Sequence, residues 1–248
     1  MTAAQQNKLI VEADAEALAR AAAERVLARI AANPGRIAIC LTGGSSPKKL
    51  YELLGSDGRR GRIPWQRVHW FIGDERFVPE SDPLNNMAVA RAAFLDGNAP
   101  PEHIHPMPTG ENPEAGAGAY ARELQAFYGS DRLDRDRPLF DLVLMGAGPD
   151  GHTASLFPGF PEIEETERWA VGVPQANVAP FVPRVSLTLP TLASCREMLF
   201  VIAGPDKRPV LTRLFNGENL PALRARSNGE TVWMVDRAAL PEEFRGPR

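Results

Sequence analysis

The sequence predicts an α/β layer structure built on a largely parallel sheet. Three observations carry that reading. Short, unbroken apolar runs alternate with amphipathic helical stretches, and most of these runs end in a Gly-rich polar turn. No composition break, internal repeat or low-complexity linker divides the 248 residues, so 1–248 reads as a single domain.

Residues 9–11 form a short apolar piece. Over residues 14–32, Leu18, Ala22, Val26, Leu27 and Ile30 fall on one stripe with Arg20, Glu24 and Arg29 elsewhere, the pattern of an amphipathic helix. Asp14 is its N-cap and Asn33-Pro34-Gly35 its stop. Ile37–Leu41 is apolar throughout and ends at Thr42-Gly43-Gly44, as expected of a strand covered on both faces. Ser46-Pro47 reads as N-cap and first residue of a helix through Leu50, Tyr51, Leu53 and Leu54, closed by Gly55.

Val68–Ile72 is a second strand leading into Gly73-Asp74-Glu75-Arg76, and residues 86–95 are again helical. The pattern repeats with a strand at 141–145 before a Gly-rich turn over 146–152. It repeats once more with a strand at 198–203 before Gly204-Pro205-Asp206-Lys207 and a helix over 209–215. Residues 232–235 make the last strand, and 169–173 and 185–189 are further strands. Residues 97–118, rich in Pro, Glu and Gly, read as a long surface excursion.

Composition excludes several classes of function. With 28 basic and 31 acidic side chains the net charge is −3, which gives no electrostatic reason to coat nucleic acid or an anionic membrane. Two Cys cannot build a disulfide framework, and four His leave little material for a metal site. The N-terminus lacks a basic stretch followed by an apolar one, and no apolar run approaches the roughly 18 residues needed to span a bilayer, so a cytoplasmic protein is expected.

In parallel α/β sheets, ligands bind beyond the carboxyl ends of the strands. Four loops therefore face one crevice, those around Gly43-Gly44-Ser45, Asp74–Arg76, Asp150-Gly151-His152 and Lys207. The first lets backbone N–H groups approach an anion closely and adds hydroxyls, although an ordinary strand-to-helix turn has the same composition. It is not a Walker loop. Arg76 carries a guanidinium fork suited to phosphate, with a structural salt bridge to Asp74 or Glu75 as the alternative.

Gly146, Gly148 and Gly151 spell G-x-G-x-x-G, but Pro158 stops any helix within about two turns and residues 169–173 run into Pro174 without a terminal acid, so dinucleotide binding is set aside. His152, at a strand end among anion-binding loops, is the candidate general base. His103 and His105 sit beside Pro106 and Pro108 with no Cys near, and read as a loop rather than a metal site. Cys40 reads as a buried structural thiol, and Ser45 lacks the Gly-x-Ser-x-Gly elbow of a nucleophile.

Together, Leu41-Thr42-Gly43-Gly44-Ser45-Ser46-Pro47, Gly73-Asp74-Glu75-Arg76 and the stretch from Gly146-Ala147-Gly148-Pro149-Asp150-Gly151-His152 to Pro158-Gly159 resemble the 6-phosphogluconolactonase family in residues, order and spacing. Asn85-Asn86, Pro183-Arg184-Val185-Ser186 and Gly204-Pro205-Asp206-Lys207 extend the likeness. The resemblance implies a Rossmann-like three-layer αβα fold of the ribose-5-phosphate isomerase and sugar-phosphate isomerase type. It implies hydrolysis of 6-phospho-D-glucono-1,5-lactone in the oxidative pentose phosphate route.

Carried over residue by residue, it makes His152 the base that activates water. It makes Arg76, Arg184 and Lys207, with the Gly43-Gly44-Ser45 turn, the phosphate holders, and Asn86 a support. Asp74 and Asp150 belong to the site, with orientation and proton exchange both open as roles. No metal, cofactor, nucleic-acid or membrane partner is implied; the one partner is the phosphosugar lactone, and the chain is expected as a monomer or weak homo-oligomer.

Two departures from the family pattern, Asn85 and Ala147, do not touch this chemistry. A glucosamine-6-phosphate deaminase would share the fold, but it continues past its His with Phe-Asn-Glu-Pro, where this chain has Thr153-Ala154-Ser155-Leu156-Phe157-Pro158. A silent sugar-phosphate sensor would need a DNA-binding element, for which the N-terminal helix leaves no room.

Overall fold

The computed structural model describes residues 7–44 and 46–244. Six strands form a sheet in the spatial order β1 (Asn7–Glu12), β9 (Glu230–Asp236), β8 (Cys195–Ile202), β5 (Phe140–Met145), β2 (Ile37–Leu41) and β3 (Val68–Ile72). Every neighbouring pair is parallel. Every residue of β2 and β5 is buried, which is why their sequences show no polar alternation.

Five helices matter for the site: α1 (Ala15–Ala31), α2 (Ser46–Leu54), α3 (Asn86–Ala90, continued by a π-helical turn over Arg91–Leu95), α4 (Pro113–Tyr128) and α5 (Arg208–Phe215). Asp14 caps α1 by accepting from the Ala17 amide at 2.7 Å. Successive residues of a strand point to opposite faces, and two on β3 show what lies on each side. Trp70 meets Phe94 of the π turn edge-on at 5.0 Å, and Phe94 in turn stacks on Tyr51 of α2. Phe71 meets Phe127 of α4 at 4.9 Å. Helices therefore cover both faces, the three-layer arrangement that the family resemblance implies.

From β2 the chain passes to β3 on one side and later returns to β5 on the other. The carboxyl ends of β2 and β5 thus flank the point where the winding reverses, which opens a crevice between their loops. At the end of β3, Gly73 both donates to Leu41 O and accepts from the Leu187 amide, each at 2.9 Å. The chain there leaves the main sheet and enters a second, antiparallel one, ordered β4 (Asp74–Arg76), β7 (Arg184–Leu187), β6 (Ala170–Val173).

Several expectations are corrected. Asp74–Arg76 is a strand, not a loop, because a partner 110 positions away, with Asp74 opposite Ser186 and Arg76 opposite Arg184, supplies its ladder. The strands expected at 169–173 and 185–189 belong to this small sheet rather than the parallel one, and Leu189-Pro190 opens a short helix, Leu189–Ala193. Residues 97–118 are no excursion: Ile104 bridges to Trp70, Met107 is buried, and α4 begins at Pro113, with Asn112 as its cap. No α-helix opens at Gly151, where residues 151–160 form turns and bends, so the G-x-G-x-x-G pattern lacks the element that dinucleotide binding requires. Ser46 is the first residue of α2 rather than its cap.

Candidate functional site

Loops from four strand ends enclose a cleft of about 360 Å³. The wall on the β5 side is set by glycines. Gly151 is left-handed at φ 90°, and its loop closes through Gly151 N–H donating to Gly148 O at 3.0 Å and Gly148 N–H to His152 O at 2.8 Å. A Cβ on Gly148 would lie 2.0 Å from the His152 ring, so the imidazole rests directly on that glycine. Behind the ring is Phe157, at 4.8 Å.

His152 Nδ1 lies 2.5 Å from Asp150 Oδ1, which also accepts from the His152 amide at 3.1 Å. Partial burial raises the Asp150 carboxyl, but the bonds and charge of His152 outweigh that effect and hold it below the usual value. An ionised Asp150 accepts a hydrogen bond from Nδ1–H, which selects the tautomer with Nε2 as the basic nitrogen. His152 lines the cleft, whereas Asp150 does not and sits behind it.

The opposite wall is cationic. Arg76 on β4 and Arg184 on β7 face each other across the ladder. Arg184 is only 4% exposed and donates to the carbonyls of Pro180 (2.8 Å) and Val182 (3.3 Å). Burial lowers the Arg184 pKa, which Asp74 raises and Arg76 lowers further. Arg76 donates from Nη1 to Leu84 O at 2.8 Å, while its buried Nε has no partner among the described residues. The structural salt bridge weighed for Arg76 is not formed among the described residues, and Arg76 lines the cleft.

Asp74 lines the cleft between these walls, its Oδ2 fixed by the buried Ser155 hydroxyl at 2.6 Å. Ser155 follows Ala154, a non-glycine residue at φ 48° that costs local strain, and its amide donates to Ser186 Oγ at 3.2 Å. Next to Asp74, Glu75 is wholly buried and raised to about 7 by burial, against the opposing effect of three backbone N–H bonds.

On the β2 side, Tyr51 anchors the turn by exchanging hydrogen bonds with the backbone of Thr42. Gly44 is left-handed at φ 97° with open space where a side chain would be. Gly43 packs against Asn86: an added Cβ would stand 2.2 Å from the Asn86 amide and would have to displace that side chain. Asn86 in turn donates to Asp74 O at 3.0 Å. Lys207, beyond β8, donates from Nζ to Ala147 O at 3.1 Å and completes the rim beside the His152 loop.

Of the residues expected at the site, His152, Asp74, Gly43, Gly44, Arg76, Asn86, Arg184 and Lys207 line one cleft. Asp150 stands one shell behind, and Ser45 lies outside the described residues. Sequence reasoning missed Ser155 and the lining pair Val178 and Ala179. The one signal for the pair was the proline-rich approach to Arg184, and nothing local marked Ser155 as a partner of Asp74. His103 and His105 do not line this cleft and pack with His69, and among the described residues no group of three or more His, Cys, Asp or Glu converges to hold a metal.

The family model for glucosamine-6-phosphate isomerases/6-phosphogluconolactonase matches residues 13–233. A 6-phosphogluconolactonase of Streptomyces coelicolor is 38% identical over 97% of both chains. The crystal structure of a 6-phosphogluconolactonase from Thermotoga maritima superposes with a TM-score of 0.80 at 28% identity, over 94% of this chain and 100% of that one. A monomeric glucosamine-6-phosphate deaminase superposes with a TM-score of 0.79, over 94% of this chain and 98% of that one, but at 19% identity, a likeness of fold alone.

Proposed function

The chain belongs to the glucosamine-6-phosphate isomerase/6-phosphogluconolactonase family, and from that membership we infer that it hydrolyses 6-phospho-D-glucono-1,5-lactone to 6-phospho-D-gluconate in the pentose phosphate pathway. The observation that carries the reading is the pairing of two unlike walls in one cleft: a carboxylate-oriented imidazole on one, and on the other two arginines that form no ion pair among the described residues. A sugar lactone with a remote phosphate has the complementary layout.

The reaction follows from these groups. The phosphate binds at Arg76 and Arg184, with Lys207 and the Gly43-Gly44-Ser45 turn completing its shell. That remote binding energy fixes the lactone's orientation. His152 Nε2 takes a proton from water, the resulting hydroxide adds to the lactone carbonyl, and the ring oxygen leaves with a proton returned by the imidazolium. Asp150 holds the tautomer and balances the imidazolium charge. Asp74, pinned by Ser155, orients the sugar. An ester opened by water needs no covalent intermediate.

The deaminase alternative is disfavoured by the same cleft. Asp74 is the one carboxylate among the described lining residues, and the segment after His152 supplies none that could relay a proton. A monomer or weak homo-oligomer is the working unit of this reading. A cytoplasmic setting fits the substrate, and no helix among the described residues is long and apolar enough to cross a membrane.

The test is hydrolysis of freshly generated 6-phosphogluconolactone, corrected for spontaneous ring opening, beside glucosamine 6-phosphate as the alternative substrate. Enzyme-dependent lactone opening with no ammonia release from the amino sugar is expected. The reverse pattern would overturn the reading.

A further inference from the structure

Glu75 lies between two residues of the site, Asp74 and Arg76, yet it is 0% exposed and does not line the cleft. Its bonds all run to backbone N–H groups. Oε1 accepts from Arg76 at 2.8 Å and from Asn86 at 2.7 Å, and Oε2 accepts from Met87 at 2.9 Å. Asn86 and Met87 are the first two residues of α3, and the third amide, that of Ala88, goes to the cap Asn85 at 2.8 Å. The opening amides of that helix are therefore fully accounted for, two of them by a residue of another element.

We propose that Glu75 is the positioning residue of the anion-binding wall, its carboxylate clamping β4 to the start of α3 so that Arg76 and Asn86 are held in one fixed relation to the Gly43 turn. The inference rests on the reading of that wall as a phosphate site. Two further contacts show why small displacements matter. Arg76 reaches back to Leu84 O within the loop that the clamp closes. Asn86 fills the space that any Cβ on Gly43 would need. A shift of a few tenths of an ångström at Glu75 therefore moves both the guanidinium and the turn. Among the described residues Glu75 itself bonds only to Arg76, Asn86 and Met87, and the His152 loop is tied to β4 through a different pair, Ser155 and Asp74.

Glu75→Gln is the discriminating variant. Its amide oxygen can keep the Arg76 and Asn86 bonds, but its NH2 then faces the Met87 N–H, donor against donor. The expected result is a KM for the lactone raised roughly tenfold, as for loss of one charge-assisted hydrogen bond, with kcat within about threefold of wild type. Inhibition by inorganic phosphate weakens by a similar factor. Glu75→Asp, with its shorter arm, is expected to raise KM further than Gln does, with no further loss in kcat.

A Tm loss in Glu75→Gln with KM and phosphate inhibition unchanged would reduce Glu75 to a structural residue and overturn the proposal, as would a fall in kcat at constant KM. Wild-type failure to open the lactone would sink the hydrolase reading instead. Thermal-shift titration of wild type and Glu75→Gln with inorganic phosphate would then still decide the clamp, equal or absent shifts in both proteins standing against it.

Discussion

Arg76 and Arg184 stand opposite each other in the register of β4 and β7, and among the described residues neither is ion-paired with a carboxylate. Like charges placed across a ladder destabilise a sheet. The arrangement makes sense when an anion lies between them. Arg76→Ala is expected to raise KM and weaken 6-phosphogluconate binding roughly tenfold to a hundredfold, as for ~1.5–3 kcal/mol of charge-assisted hydrogen bonding, while kcat changes far less. Phosphate should raise the Tm of the wild type and do so less in the variant; at a concentration one hundred times Kd the wild-type gain is about 2.7 kcal/mol. Equal phosphate stabilisation of both proteins would speak against an anion site here.

Gly148 is the floor under His152. Because an added Cβ would lie 2.0 Å from the ring, and the ring is a side chain that can swing away, Gly148→Ala is expected to leave the fold intact but move the base out of line. Turnover should then fall by a large part of the roughly 10²–10⁴-fold that a positioned general base contributes. KM and Tm should stay close to wild type. A fully active Gly148→Ala enzyme would mean that the ring position seen here is not the working one.

A pH effect on stability is expected away from the cleft. His69 donates to or accepts from His105 at 3.0 Å, and His105 meets Glu123 at 2.6 Å. Burial, with His103, His105 and Arg36 nearby, pushes His69 down to about 4 from 6.5. Between those two values the unfolded chain binds a proton that the folded chain refuses, so the contribution to stability is whole above pH 6.5 and declines as pH falls toward 4. Tm measured from pH 7 to pH 4 should fall less steeply in His69→Phe than in wild type. Parallel curves would contradict the assignment.

How far the sequence reveals this molecule depends on the range of the interaction involved. The parallel strands β2 and β5 were legible because burial on both faces leaves an unbroken apolar run, and His152 because glycines flank it at a strand end. The helix α4 was not: its inward positions include Gly116 and Ala117, small because Pro108 O would lie 2.4 Å from a Cβ at 116, and small residues among Pro and Glu look like a loop. Likewise β4 is three charged residues whose strand character comes entirely from β7. The roles of Ser155 and Glu75 were hidden for the same reason, since each is defined by a partner that folding brings in.

The central claim is that His152, held by Asp150, is the base that opens the lactone. It is tested most directly by His152→Ala, with turnover of freshly made 6-phosphogluconolactone and binding of 6-phosphogluconate measured on the same preparation. The account predicts a loss in kcat of about 10²–10⁴-fold with product affinity within about threefold of wild type. Undiminished turnover, or loss of product binding in step with turnover, would contradict it.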